Sequence, residues 1–223
     1  MGVKTFAVFK TDLLLELGQR DDLDSYTGGF VNAAYMKICT QDRFWGLRKS
    51  FNFPELDASD TSQATTDGTA YVDVPSDALL IYTVFDETNN TKLKNISKRR
   101  YWSYDDRDTA TAEGEPTEWV RIGDYIYLYP TPDDEYDLDI LYRKRPTLLT
   151  GTGATVLGDE WDEIILQTAV IIAHMKLGEF DKAEAKKAEW LDAVGGLIGI
   201  YDQEELDRKD IRSLNYGYKN RKY

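Results

Sequence analysis

The sequence contains few of the residues on which cross-links, metal centres and nucleophilic catalysis depend. Its 223 residues include one cysteine, Cys39, and one histidine, His174. A single cysteine excludes an intramolecular disulfide and a cysteine-based metal cluster, and we expect Cys39 to be buried beside Ile38 on a helical face. A single histidine excludes the histidine-pair zinc sites. Because His174 lies within a helical pattern, we expect it to be structural rather than a catalytic base.

Long apolar runs are also scarce, and the 27 Lys and Arg are outnumbered by 40 Asp and Glu. No stretch approaches the roughly 18 apolar residues that a membrane-spanning helix needs. The first residues lack the pattern of a secretory signal, so we expect assembly in a cytoplasm and no membrane partner. The net charge is −13, which argues against tight binding to duplex DNA or anionic lipid.

The motifs that carry common enzyme chemistry are missing. There is no Gly-x-Ser-x-Gly elbow, and Gly151-Thr-Gly153 lacks the Lys-Ser/Thr ending of a phosphate loop. Acidic clusters occur at 21–22, 105–108 and 133–135, where adjacent carboxylates are more typical of solvated turns than of a catalytic pair. The sequence therefore predicts no catalytic, cofactor-binding or metal-binding residue, and no enzyme.

Apolar periodicity is present and predicts helices at both ends of the chain. Residues 4–17 carry Phe6, Phe9, Leu13 and Leu17 at helical spacing, with Gly18 placed to end the helix. A second helix is predicted from 24–25 to about 41. After Gly158, two more helical patterns cover 159–177 and 180–194. The first has a stripe formed by Trp161, Ile164, Ile165, Thr168, Ile172 and Met175, and the second by Phe180, Ala183, Lys187, Leu191 and Val194.

The middle of the chain has the alternation and turn residues of β-structure. Strands are predicted at 46–53, 69–74, 79–86, 92–97, 118–122, 125–129 and 136–143. Loops are predicted at 57–68 and 105–116. In the segment 119–146, Ile126 and Leu128 share one face of the first run, and Tyr136, Leu138, Ile140 and Tyr142 share one face of the second. We expect these two runs to form a hairpin around Pro130 and Pro132.

These elements predict an α+β fold in which N- and C-terminal helix pairs form one bundle and an antiparallel β lobe is inserted between them. The expected domains are 1–44 with 155–207 for the bundle, 45–154 for the β lobe, and 208–223 for an extended C-terminal tail.

The tail differs from the rest of the chain in charge. Residues 208–223 have a local balance of +5, which leaves −18 on the other 207 residues. Three interpretations stay open at this point: a solubilising terminus, an arm for single-stranded nucleic acid, and a peptide that orders on a protein partner. Basic, aromatic and apolar side chains that could serve as its anchors are Ile211, Arg212, Leu214, Tyr216, Tyr218, Lys219, Arg221 and Tyr223.

Several segments, in this order, resemble the head-to-tail adaptor (neck or connector) proteins of tailed bacteriophages. They are the second helix with its exit from Phe30 to Trp45, and the strand Gly68-Thr-Ala-Tyr-Val-Asp-Val-Pro75. They continue with Ile126-Tyr-Leu-Tyr-Pro-Thr-Pro132 and its return to Pro146, and with the helix that opens at Gly158-Asp-Glu-Trp161. The resemblance covers residues 5 to 195.

The resemblance implies a structural virion protein of the neck without enzymatic activity or cofactor. Such adaptors form a ring, typically of twelve copies, that joins the portal to the tail and lines the DNA channel. By the resemblance, the bundle makes subunit contacts and the C-terminal residues dock on the portal protein. The β lobe would face a tail or nozzle protein below, and genome DNA would pass through the lumen without sequence-specific binding.

Two other functions remain as alternatives. A carbohydrate-binding or tail-fibre-type module would use Tyr101, Trp102, Tyr104 and Trp119 to stack on sugars. A cell-wall hydrolase would use a pair of the clustered acids.

Overall fold

The computed structural model describes residues 4–40, 53–104 and 113–195. The chain divides into two compact units, one of which, Phe53–Pro146, is inserted into the other. We call the inserted part the β-unit and the flanking part the helical unit. Helices dominate one unit and strands the other, so the predicted α+β fold class is confirmed.

Five α-helices lie within the described residues. They are α1 (Phe6–Glu16), α2 (Asp24–Thr40), α3 (Lys98–Tyr101), α4 (Asp162–Leu177) and α5 (residues 180–195). All except α3 belong to the helical unit. None of these helices is both long and apolar enough to cross a lipid bilayer.

The first helix begins and ends where the sequence predicts. Thr5 is the N-cap, and its hydroxyl accepts a hydrogen bond from the backbone N–H of Val8. Phe9 and Leu13 are fully buried on one face. Gly18 follows the helix with a φ of +78°, a left-handed conformation that glycine adopts without a steric penalty.

The core of the helical unit lies where α1, α2 and α4 pack together. Val31, Ala34, Tyr35 and Ile38 of α2 are buried, as is Cys39, which confirms the prediction for the cysteine. Two hydrogen bonds between the Asn32 side chain and the Leu149 backbone, of 3.0 and 2.8 Å, attach the segment that returns from the β-unit. The returning segment is thereby held against α2 before α4 begins.

The predicted stripes on α4 and α5 are only partly right. On α4, Ile164, Ile165 and Thr168 are buried as expected, but Met175 is exposed. On α5, Phe180 is 66% exposed, whereas Trp190, which the predicted stripe omits, is fully buried. The indole N–H of Trp190 donates a 2.9 Å hydrogen bond to the hydroxyl of Thr168. The buried face of α5 is therefore the one that carries Ala183, Trp190 and Val194.

The β-unit contains two four-stranded sheets. The strands are β1 (Asp57–Ala64), β2 (Tyr71–Asp73), β3 (Ala78–Asp86), β4 (Thr91–Lys92), β5 (Lys94–Asn95), β6 (Glu118–Ile122), β7 (Tyr125–Tyr129) and β8 (Asp137–Lys144). The larger sheet has the order β1-β8-β3-β4 and the smaller has β2-β7-β6-β5. All pairs are antiparallel except β5 with β6, which is parallel.

One apolar core joins the two sheets. It combines Val84, Leu138 and Ile140 of the larger sheet with Ile126 and Leu128 of the smaller one. The faces predicted for the segments 125–129 and 136–143 are confirmed, because these alternating apolar residues point into the core. The β-unit is a small sandwich in which each sheet covers the inner face of the other.

The predicted hairpin between 125–129 and 136–143 is wrong. β7 and β8 belong to different sheets, so the segment with Pro130 and Pro132 carries the chain from one sheet to the other. The hairpin is formed instead by β6 and β7, which are joined by Gly123 and Asp124. Gly123 has a φ of +65°, as tight hairpin connections require.

The predicted loop at 57–68 is also wrong, because β1 occupies most of it. Its side chains show no buried alternation, and its position is set by backbone pairing with β8, from Asp57 opposite Arg143 to Ala64 opposite Asp137. The single strand predicted at 92–97 is divided into β4 and β5, which pair with different sheets. The strand at 46–53 and the loop at 105–116 lie largely outside the described residues.

Candidate assembly surfaces

The side chains proposed as anchors in the tail cannot be placed. Residues 208–223, including the eight candidate anchors from Ile211 to Tyr223, lie outside the described residues. The described surfaces that bear on assembly are therefore those of the helical unit up to residue 195 and those of the β-unit.

A charged cluster at one end of the helical unit connects three helices. His174 of α4 is buried, and its Nδ1 lies 2.7 Å from Oε2 of Glu179, which precedes α5. Glu179 also lies 3.3 Å from Nζ of Lys182 and 3.8 Å from a guanidinium nitrogen of Arg20, which follows α1. The hydrogen bonds from His174 and Lys182 lower the pKa of the Glu179 carboxyl. This cluster links the end of α4 to the start of α5 and to the residue that follows the C-terminal turn of α1.

A shallow groove lies between α2 and α4. It is lined by Ala33, Met36, Ile172 and Met175, with Lys37 and Lys176 beside them. Burial lowers the pKa of Lys37. Methionine-lined surfaces adapt to different partners, so the groove is a candidate subunit contact.

The outer face of the smaller sheet is rich in tyrosine. Tyr127 and Tyr129 of β7 pack against a second cluster that contains Ile96, Tyr101 and Val120. The ring of Tyr129 stacks on that of Tyr104 with 4.0 Å between centroids. The short helix α3 thus covers part of this face.

A buried carboxylate contacts side chains within α3 and on both sides of it. Glu118 of β6 accepts a 2.8 Å hydrogen bond from the Arg100 guanidinium and one from the Tyr104 hydroxyl. Lys94 lies 3.7 Å from the same carboxylate. Only 11% of the Glu118 side chain is exposed. These contacts therefore offset the free-energy cost of burying the carboxylate.

The alternatives based on sugar binding and on hydrolysis find less support in the geometry. Of the four aromatic residues proposed to stack on sugars, Tyr101 and Trp119 are buried, and Trp102 is exposed. The acids at 21–22 are exposed in a short 3-10 helix, those at 133–135 are exposed in the connection between β7 and β8, and those at 105–108 lie outside the described residues. Asp22 pairs with Arg20 at 2.7 Å, and Asp133 accepts a 2.6 Å hydrogen bond from Tyr136. Within residues 4–40, 53–104 and 113–195, no three His, Cys, Asp or Glu side chains are grouped to hold a metal ion.

Comparison with known families gives a match that covers most of the chain. Residues 4–215 match the family model described as SU10 adaptor protein. The match includes both described units and continues through Ile211, Arg212 and Leu214 of the tail. The comparison with curated proteins gave no match.

Proposed function

Because this chain belongs to the SU10 adaptor protein family, a family of bacteriophage adaptors, we propose that it forms a ring that joins the portal to the tail in the virion neck. The ring lines the channel through which genome DNA passes. The match over residues 4–215 is the observation that carries this proposal, because it covers the whole α+β arrangement rather than a single motif.

Two features of the chain support a ring. A closed ring is made by heterologous contacts, which require two different surfaces on each subunit. The helical unit offers the groove between α2 and α4, and the β-unit offers charged sheet edges. The strongly acidic composition suits a channel wall, since negative charge at the lumen disfavours contacts with DNA phosphates.

We further propose that residues 208–223 dock on the portal protein. This segment is basic and rich in tyrosine, while the remaining chain has a net charge of −18. Tyrosine and arginine are favoured anchors at protein interfaces. A tail or nozzle protein then binds the ring on the side away from the portal.

Deletion of residues 208–223 tests the docking proposal. We expect the truncated chain to keep the thermal unfolding transition and the circular dichroism spectrum of the full chain but to lose binding to purified portal rings in electron micrographs. Two matched double variants test whether particular side chains anchor the tail. Tyr216→Ala/Tyr218→Ala should weaken portal binding, and Ser213→Ala/Asn215→Ala should not. If the truncated chain still decorates portals at full occupancy, the docking proposal is wrong.

A further inference from the structure

The sandwich of the β-unit has two open edges formed by different strands. At one edge β1 and β2, the outermost strands of the two sheets, contact each other. At the other edge β4 and β5 are the outermost strands, and only Leu93 separates them along the chain. The sheet order therefore puts residues 55–77 and residues 92–100 on opposite sides of the β-unit.

The edge built by β1 and β2 is acidic. Residues 55–77 contain six Asp or Glu and no Lys or Arg; we call them the acidic edge. Glu55, Asp57, Asp67 and Asp73 are exposed. Within the part of the chain that the structure describes, no Lys or Arg forms an ion pair with any carboxylate of this edge.

The edge built by β4 and β5 is basic. Residues 92–100 contain five Lys or Arg and no acid; we call them the basic edge. All five cations are exposed. Arg100 and Lys94 share Glu118, whereas Lys98 and Arg99 of α3 have no acidic partner among the described residues. The edge therefore keeps an excess of positive charge after its internal pairs are formed.

This arrangement differs from ordinary protection of sheet edges. Charged side chains on edge strands usually prevent edge-to-edge pairing between copies. Like charge on both edges would make copies repel in every arrangement. Here two acidic edges repel and two basic edges repel, but an acidic edge attracts a basic one. The charges thus favour one head-to-tail arrangement of β-units.

We propose that the basic edge of one copy binds the acidic edge of the next copy, so that the β-units make a heterologous contact around the ring. This inference rests on the proposed function and adds a contact in the β-unit. A second copy of the chain is favoured over nucleic acid as the partner of the basic edge, because every copy carries one acidic edge and one basic edge. A phosphate backbone would leave every acidic edge without an occupant, on a chain whose net charge is −13.

Zero-length cross-linking of amines to carboxylates tests the contact on the full chain. A mixture of ¹⁴N- and ¹⁵N-labelled protein distinguishes links between copies from links within one. We expect links from Lys92 or Lys98 to Glu55, Asp67 or Asp73, all between copies. The yield should fall in about 1 M salt, where the screening length is about 3 Å.

Charge-reversed variants give the matched comparison. Lys98→Glu/Arg99→Glu should lower the yield of the links from Lys92, which this variant keeps, about tenfold, since each lost exposed pair weakens association roughly two- to fivefold. Lys10→Glu/Lys187→Glu, which makes the same change of charge in the helical unit, should leave the yield of these links unchanged. Asp67→Lys/Asp73→Lys should lower the yield of links from Lys92 to Glu55 as well, and an equimolar mixture of the acidic-edge and basic-edge variants should restore Lys92–Glu55 links between unlike copies.

The proposal would be overturned if the native chain formed no edge-to-edge links. It would also be overturned if the control variant lost as much of the link yield as the edge variants, or if the mixture did not restore the links. Salt-sensitive retention of duplex DNA by the basic edge without links between copies would also overturn it. Portal binding is measured on the same variants. If the edge variants lose the links but still bind the portal, the effect lies in the contact between β-units. If the native chain itself does not bind the portal, that result counts against the proposed function instead.

Discussion

The hydrogen bond between Trp190 and Thr168 allows the attachment of α5 to be tested quantitatively. Both groups are fully buried, and the indole Nε1 lies 2.9 Å from the Thr168 hydroxyl oxygen. Thr168→Val keeps the shape of the side chain but removes the acceptor from the buried indole N–H. The expected loss is about 1–3 kcal/mol in the free energy of unfolding, the cost of an unsatisfied buried donor.

Trp190→Phe acts through two effects. It removes the donor from the Thr168 hydroxyl, and it leaves a void of roughly 40 Å³, which costs about 1 kcal/mol at ~24 cal/mol per Å³. The combined loss should be about 2–3 kcal/mol. The double variant has no unsatisfied partner left at this contact, so its loss should be about 1 kcal/mol smaller than the sum of the two single losses.

Urea unfolding followed by far-ultraviolet circular dichroism measures these losses, because four of the five described helices lie in the helical unit. Retention of the native helical signal before the transition is the control for folding. Additivity of the two single losses within about 0.3 kcal/mol would show that the side chains are not coupled. In that case the hydrogen bond does not hold α5 to α4, and the reasoning is refuted.

Two further predictions concern the helical unit. Burial raises the pKa of Asp162, whose carboxylate accepts a 2.7 Å hydrogen bond from the backbone N–H of Lys4. A raised carboxyl pKa means that stability is lost as the pH rises through the folded-state value. The melting temperature of Asp162→Asn relative to the native chain should therefore increase from pH 4 to pH 7, and a constant difference would contradict this. Gly178→Ala should destabilise the protein by about 1–2 kcal/mol because φ is +75° there. Gly29→Ala, within α2 and with open space around it, should stabilise the protein by about 0.5–1 kcal/mol. Equal urea midpoints for these two variants would contradict both expectations.

Local periodicity predicted the elements whose own residues decide their structure. The first helix with its end at Gly18 and the start of the second helix near Asp24 are confirmed, and so are the faces of β7 and β8. Alternation fixes which side chains point inward, but it does not identify the partner strand. The hairpin prediction failed for that reason: the two-residue connection at Gly123 and Asp124 is a stronger turn signal than the longer segment with two prolines.

The sequence did not predict the elements whose position depends on residues far away along the chain. β1 carries no apolar alternation, since it lies at a sheet edge and pairs through its backbone with a strand far along the chain. On α5 both faces carry apolar side chains, so spacing alone did not select Trp190 over Phe180. The two charged edges are visible as charge runs in the sequence, but their opposite placement requires the sheet order.

The pairing of Asp57 with Arg143 brings the two ends of the β-unit together. The helical unit is interrupted by roughly ninety residues, those of Phe53–Pro146. Closing an unfolded loop of this length costs about 4 kcal/mol, whereas a connection of roughly thirty residues costs about 3 kcal/mol. Once the sandwich has folded, only residues 41–52 and 147–161 separate α2 from α4 outside it. If the insertion folds first, it should therefore accelerate packing of the helices. The insertion can also change in sequence or size without destabilising the helices, so long as its two ends stay adjacent.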